Sequence, residues 1–320
     1  MTILAIETSC DETSIAVIKD KNIKSNIVWS QIETHQEYGG VVPEVASRLH
    51  VKNISVVLKQ AILKAKIDYV DIDYIAYTQN PGLSGSLHVG MVCAQTIAAI
   101  LKKPLLACNH VEGHIYGAAI ENEFQFPLIA LVVSGGHTQL TLMKHHLDFT
   151  VLGETHDDAI GEAYDKVARM LSLPYPGGPE IDQLAKKGYH IFDLPLGKND
   201  TSFDFSFSGL KSAVYNLLKK LDNRKIEYKI ADIAASFQEQ ATNILVKKLI
   251  MAIEKFHPQM ITLVGGVAAN SILRSKVSNL NHDVKVVIPN IKYCTDNAAM
   301  IGRLAWEKIN QKLKQEITKK

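Results

Sequence analysis

Ile3-Leu4-Ala5-Ile6-Glu7-Thr8-Ser9-Cys10-Asp11-Glu12-Thr13-Ser14-Ile15-Ala16-Val17-Ile18 reads as an apolar strand, a small polar turn and a second apolar strand, a hairpin at the start of the chain. The plan returns at Leu128-Ile129-Ala130-Leu131-Val132-Val133-Ser134-Gly135-Gly136-His137-Thr138-Gln139-Leu140-Thr141-Leu142-Met143. Two hairpins of one design predict a duplicated domain, since internal repeats decide architecture. Their turns differ in chemistry. The first offers Asp11 and Glu12; the second offers Ser134, Gly135, Gly136 and His137, whose glycines would expose backbone N–H groups as an anion nest. A plain tight turn is the simpler reading of one Gly-Gly pair.

Between the hairpins, Gly39-Gly40-Val41-Val42-Pro43 leads into an amphipathic helix to about Lys66, with Val45, Leu49, Ile54, Val57, Leu58, Ala61 and Ile62 on its apolar stripe. Asp73 to Tyr77 reads as a strand, and Pro81-Gly82-Leu83-Ser84-Gly85-Ser86 as a small-residue loop before an apolar helix over Val89 to Leu101. That loop is a weak candidate for an anion-facing helix terminus and lacks the Gly-Lys-Ser/Thr of a Walker loop. Lys103 to Cys108 is a short apolar strand that feeds Asn109-His110-Val111-Glu112-Gly113-His114. Histidines four apart sit ~40° apart around a helix, so both can reach one ion. Surface polar residues are the bland alternative. A zinc protease would need Glu directly after the first His, but Val111 stands there, and Glu112 lies about 200° around the helix from the ion.

At 320 residues the chain fits one or two domains, and its 47% hydrophobic and 21% charged residues are an ordinary globular balance. A net charge of +2 supplies no strongly basic field. Any nucleic-acid contact falls to local patches such as Lys219-Lys220 with Arg224-Lys225, each of which also reads as a solvated helix face. Cys10, Cys93, Cys108 and Cys294 are scattered, which argues against a zinc ribbon or a disulfide scaffold and fits a reducing cytoplasm. The N-terminus turns acidic too soon for a signal peptide, and no apolar run is expected to reach the roughly 18 residues of a membrane span.

After the second hairpin, Gly161 to Arg169 reads as a helix, Leu173-Pro174-Tyr175-Pro176-Gly177-Gly178-Pro179 as a rigid turn, and Ile181 to Lys187 as a helix carrying Asp182. Residues 195–209 form a polar loop, expected to be mobile. Helices follow over 209–221 and 230–256, then Met260 to Asn270 as strand, Gly-Gly turn and helix, a short strand over Val284 to Ile288, and Cys294-Thr295-Asp296-Asn297-Ala298-Ala299 opening the last helix. Asp296 so placed reads equally as a helix cap or as a third metal ligand.

Several of these stretches together resemble one family: Glu7 to Thr13, Asn109 to His114, Val133 to His137, Gly161 to Arg169, Pro174 to Pro179, Phe205-Ser206-Phe207-Ser208-Gly209-Leu210-Lys211, Gly265 to Asn270, and Thr295 to Asn297. The chain resembles the bacterial branch of the tRNA threonylcarbamoyladenosine synthase catalytic subunits, once called glycoproteases, over nearly its whole length and with the motifs in order. The stretch after Pro195 departs from the family's usual wording just before Phe205.

The resemblance implies an α/β fold of two duplicated actin-like ATPase domains (the ASKHA, ribonuclease H-like class) with a cleft between them, residues 1–125 forming the first and 126–320 the second with helical insertions. It implies one divalent metal per subunit on His110, His114 and Asp296, with Fe(2+) ahead of Zn(2+) because two histidines and a carboxylate leave positions open. Val133, Ser134, Gly135, Gly136, His137, Asp165, Gly178, Asp182 and Asn270 would line the adenylate pocket, and Asp11 or Glu12 would take the amine proton. The implied reaction moves the threonylcarbamoyl group from threonylcarbamoyl-AMP to the exocyclic amine of the adenosine just 3′ of a tRNA anticodon, position 37, in tRNAs reading codons that begin with adenine. A paralogous partner subunit and a small ATPase are implied as partners, with no membrane. An actin-like ATPase or sugar kinase would not need the two histidines, and a metallopeptidase would need a base that is missing.

Overall fold

The computed structural model describes residues 1–196, 200–280 and 283–318. In chain order the first elements are β1 (Thr2–Glu7), β2 (Glu12–Lys19), β3 (Asn22–Ser30), α1 (Ile32–Gln36), α2 (Pro43–Ala65), β4 (Tyr74–Asn80), α3 (Ser84–Leu101), β5 (Leu105–Asn109) and α4 (His110–Gly117). Next come β6 (Leu128–Val133), β7 (Thr138–Met143), β8 (Phe149–Glu154), α5 (Ile160–Met170), α6 (Gly177–Ala185), α7 (Ser208–Asn223), α8 (Ile230–Phe256), β9 (Met260–Val264), α9 (Ser271–Ser278) and β10 (Lys285–Val287). The last helix is α10 (Ala298–Thr318).

Two compact units emerge: Met1–Glu123 with Pro289–Lys320, and Phe124–Ile288. Each is built on one five-stranded sheet, ordered β3-β2-β1-β4-β5 and β8-β7-β6-β9-β10. In both, three strands run antiparallel as a meander and two more join parallel to the first strand of that meander. Parallel neighbours need a crossover connection, and here helices supply it: α2 between β1 and β4, α9 between β9 and β10. The repeated hairpins therefore mark a true repeat of strand order. Both are three-stranded, because polar edge strands β3 and β8 extend them beyond what the apolar pattern shows.

The expected second domain, 126–320, is corrected at its end: Pro289–Lys320 belongs to the first unit. The physical reason lies in β1 and β2. Every residue of β1 is buried, so both faces of that strand need cover. One face, carrying Leu4, Ile6, Ile15 and Val17, packs with Val57, Ala61 and Ile62 of α2 and Ala94, Ile97 and Ala98 of α3. The other face is covered by α10, so closely that a Cβ on Gly302 would stand 2.5 Å from Ile18 Cδ1. Among the described residues it is α10, made long after β1 and β2, that closes that face.

Among the described residues α3 is the one helix long and apolar enough, by length and composition, to cross a membrane, which overturns the expectation that no run approaches that length. Its Ala94, Ile97 and Ala98 lie in the sheet's core, the usual destination of such a stretch. Of the loop expected over 195–209, residues 197–199 lie outside the described residues. The rest is pinned: Phe205 and Phe207 are buried, Phe205 N–H donates to Glu154 O (3.0 Å), and buried Lys248 Nζ lies 2.8 Å from Asp200 Oδ1.

Candidate functional site

In the first unit β5 delivers the chain to α4, and the Asn109 side chain caps the helix by accepting from Val111 N (2.8 Å) and Glu112 N (3.1 Å). His110 is the first helical residue and His114 stands one turn on, both buried. Their rings meet edge to face with centroids 4.6 Å apart. Asp296 reaches them from the loop before α10, its Oδ1 3.6 Å from His110 Nε2 and 3.0 Å from His114 Nε2. The cap reading of Asp296 gives way, since Asn297 Oδ1 accepts from Met300 N (3.2 Å) in the first turn of α10. Glu112 does turn away from the triad, to Lys308 of α10 (3.4 Å).

These three groups fit a metal on their own chemistry. One ligand atom from each lies within 4.8 Å of the others. Neither ring nitrogen of His114 makes a hydrogen bond: Nε2 is close to Asp296 Oδ1 but outside hydrogen-bond geometry, which leaves a buried polar atom aimed at a carboxylate. Buried polar groups rarely stay unsatisfied, and ligation of an ion would satisfy this one. His110 has the arrangement usual for a metal ligand, with Nε2 facing Asp296 and Nδ1 held by the Glu7 carboxylate (3.3 Å) and Ser9 Oγ (3.1 Å). Glu7 is itself fixed by Ser9 N (2.5 Å) and by the Thr78 hydroxyl.

Glu7 is the residue sequence reasoning missed. Its signal was a lone carboxylate closing an otherwise apolar strand. Burial disfavours charge on both partners, yet the Asp296 and Glu7 carboxylates outweigh it and lift His110 to about 9. Glu7 is likewise held below its usual range, since the pull of His110 and the hydrogen bonds overcome burial.

The acidic turn lies within reach of the same charges. Asp11 is buried and Glu12, the first residue of β2, is half-buried. Burial, then the charges of Asp11 and Asp296 and a hydrogen bond that the protonated Glu12 carboxyl donates to the Asp11 side chain, push the Glu12 carboxyl well above the usual carboxylate range.

In the second unit the β6–β7 turn closes on itself: Ser134 N donates to His137 O (2.8 Å) and His137 N to Ser134 Oγ (3.0 Å). This leaves the N–H groups of Gly135 and Gly136 without an acceptor among the described residues, under open space where a side chain would otherwise stand. Val133, by contrast, is fully buried at the end of β6. Beside it Gly265 adopts φ +95°, and a Cβ there would lie 2.3 Å from Val133 O, so only glycine lets the end of β9 come this close. Asp165 Oδ1 accepts from Gly177 N (2.7 Å), which fixes the start of α6 and leaves Gly178 open. Asp182 accepts from Ser271 Oγ (2.8 Å) and Lys186 Nζ (3.1 Å). Asn270 caps α9 through Leu273 N (2.9 Å) while its amide donates to Gln238 Oε1 (2.8 Å). Each of these side chains is held by a neighbour of its own, and Gln238 is a partner the sequence did not single out.

Two α/β units of one strand order place the chain in the actin-like ATPase fold class. Among solved structures, HypF of T. kodakarensis superposes with a TM-score of 0.66 at 13% identity, over 97% of this chain and 48% of that one. The activator of 2-hydroxyisocaproyl-CoA dehydratase from Clostridium difficile, solved with ADPNP, gives 0.55 at 13% over 98% of both. Within that class the assignment is narrower. The family model for TsaD, tRNA N6-adenosine threonylcarbamoyltransferase, matches residues 22–303, and the chain belongs to this family. The transferase of that name from Mesoplasma florum is 53% identical over 97% of this chain and 99% of its own length. That of Bacillus cereus (strain ATCC 14579) is 51% identical over 95% and 91%.

Proposed function

We propose that this chain transfers the threonylcarbamoyl group from threonylcarbamoyl-AMP to N6 of adenosine 37 in tRNAs reading codons that begin with adenine. The observation that carries the reading is the His110–His114–Asp296 triad, its histidines buried and His110 held by Glu7, in a chain of the transferase family. An actin-like ATPase has no use for such a triad, and a metallopeptidase would need a base that Glu112, paired with Lys308, does not provide.

The acceptor amine is a weak nucleophile because its lone pair is delocalised into the purine, so orientation and charge stabilisation do most of the work. N6 attacks the carbamoyl carbon, the carbon–oxygen bond to the phosphate breaks, and AMP leaves. Asp11 or Glu12 takes the amine proton. Gly135 and Gly136 donate to anionic oxygens of the adenylate, and Asp165, Gly178, Asp182 and Asn270 line the nucleotide's place in the second unit. His110, His114 and Asp296 would hold one divalent ion, iron(II) or else zinc, whose chemistry when bound is Lewis-acid polarisation of a phosphate or carbamoyl oxygen.

A net charge of +2 gives weak long-range pull on tRNA, so helpers fit the reading: a paralogous subunit and a small ATPase, in the cytoplasm where tRNA is modified. Exposed Val56 and Leu63 on α2 and Val92 and Ile100 on α3 supply apolar surface for a protein partner. Incubation with tRNA, threonine, bicarbonate, ATP, the adenylate-forming enzyme and the partners, followed by nucleoside analysis, is expected to yield threonylcarbamoyladenosine. If the chain adds no product where the Mesoplasma florum transferase does, the reading is wrong.

A further inference from the structure

The turn that carries Asp11 and Glu12 is held far more firmly than a hairpin turn requires. Three consecutive carbonyls accept hydrogen bonds from three different elements. Ser9 O accepts from Leu83 N (2.7 Å) just before α3, Cys10 O accepts from His50 Nε2 (2.9 Å) in α2, and Asp11 O accepts from Gln31 N (3.0 Å) before α1. Gly82 presses on the same turn, since a Cβ there would lie 2.6 Å from Ser9 O.

His50 is fully buried and its bonds dictate its tautomer. A carbonyl can only accept, so the ring proton is on Nε2, and Nδ1 then accepts from the Thr13 hydroxyl 2.7 Å away. One neutral ring thereby ties the residue before the Asp11–Glu12 pair to the residue after it. Burial, which keeps His50 below its ordinary value, agrees with a neutral ring. A second histidine backs the other side. His35 Nδ1 accepts from Val42 N (3.4 Å), so its Nε2 donates to Gln31 Oε1 (3.1 Å), and the Gln31 amide donates to Ala46 O of α2 (3.3 Å).

We infer that His50 is a positioning residue for the transfer reaction: through Cys10 O and Thr13 it fixes the direction in which Asp11 and Glu12 present their carboxyl groups. The inference rests on the reading of that pair as the proton acceptor. His50 and Thr13 are both fully buried behind the turn, so their effect is expected to run through kcat and to leave the first-unit metal triad and the second-unit nucleotide residues as they are.

The bond geometry supplies the test. A glutamine at 50 places its amide nitrogen near the site of Nε2 and can still donate to Cys10 O; an asparagine reaches only the site of Nδ1. Using the full chain with its partners, a tRNA transcript and supplied threonylcarbamoyl-AMP, His50→Asn is expected to lower kcat about thirty-fold, the scale on which small misplacement acts, with KM for tRNA, metal content and AMP affinity unchanged. His50→Gln is expected to recover most of that kcat. Thr13→Val, nearly isosteric, tests the other end of the ring and is expected to lower kcat in the same way, which covers the case of a poorly folding His50→Asn. Wild-type kcat in His50→Asn or Thr13→Val, or equal losses in the Gln and Asn variants that track the folded fraction, overturns the inference. A wild-type chain with no transfer overturns the reading of the reaction, and a transferring wild type beside unaffected variants overturns the positioning role alone.

Discussion

The two hairpin turns occupy equivalent places in two sheets of the same strand order, yet they are built for opposite charge. In the first turn the backbone is consumed: the carbonyls of Ser9, Cys10 and Asp11 are tied to the residue before α3, to α2 and to the residue before α1, and what remains on offer is a pair of acids. In the Ser134–His137 turn Ser134 N donates to His137 O and His137 N to Ser134 Oγ, and what remains on offer is two glycine N–H groups. One attracts a cation or a proton, the other an anion. Duplication thus copies a scaffold, and a handful of turn residues decide what each copy holds.

The sharpest way to break this contrast is to disarm the first unit alone. His114→Ala is expected to leave less than about a tenth of the wild-type metal by elemental analysis and to reduce transfer by roughly a thousand-fold, because the ligand set falls to two. AMP affinity by calorimetry is expected to stay within about two-fold. Unchanged metal content in the folded variant removes His114 from the site. A gentler version is Glu7→Gln, which keeps the shape but weakens the grip on His110 Nδ1. Metal affinity is expected to drop about 10–100-fold, as for other losses of a group behind a ligand, and competition with a chelator measures it.

The reverse experiment disarms the second turn. Gly136→Pro removes one of the two open N–H donors, and AMP affinity is expected to fall about ten-fold, the worth of one hydrogen bond to a charged oxygen, with metal content unchanged. Equal affinity would show that the anion sits elsewhere.

The smallest effect concerns stability, in a part of the second unit distant in kind from both turns. Asp157 accepts from the side chains of Ser206 (2.5 Å) and Ser208 (2.7 Å) and from Phe207 N (2.8 Å). Burial raises its carboxyl, but these hydrogen bonds outweigh it and hold Asp157 below the usual range. A depressed folded-state value contributes stability above the unfolded pKa near 4 and loses it as pH falls through the folded value. Asp157 is exposed, so solvent screening keeps the effect to about 0.5–1 kcal/mol. Denaturation of wild type and Asp157→Asn is expected to differ by that much at pH 7 and to converge near pH 2; a constant gap across that range refutes the linkage.

What could be read in advance was local. The hairpins, the spacing of His110 and His114 and the outward turn of Glu112 all follow from two periodicities, 2 and 3.6, acting over a few residues. What escaped was held by contacts distant in sequence. The return of α10 to the first sheet is foreshadowed only by β1 being apolar on both faces, a signal that asks for a second cover without saying which helix supplies it. Glu7 looks like a strand-ending acid until His110 is brought against it, and His50 sits on the same helical stripe as the core residues of α2, where nothing in its spacing betrays a carbonyl partner at Cys10. Asn270 likewise carries bonds that its spacing does not show, since its side chain caps α9 and donates to Gln238.

The return of α10 also sets an order in time. Phe124–Ile288 is one continuous stretch and can complete its contacts as soon as it leaves the ribosome, whereas the first unit waits for the last stretch of the chain. His110 and Asp296 are 296 − 110 = 186 residues apart, and at the usual 5–20 residues per second the histidines precede their carboxylate by roughly 10 to 40 s. Throughout that interval the nascent protein carries the two histidines without the carboxylate, and the apolar side of β1 and β2 that α10 will cover faces water. Metal capture through these three residues would thereby wait until Asp296 has been made, and a product terminated before α10 is left with an uncovered sheet for quality control to find.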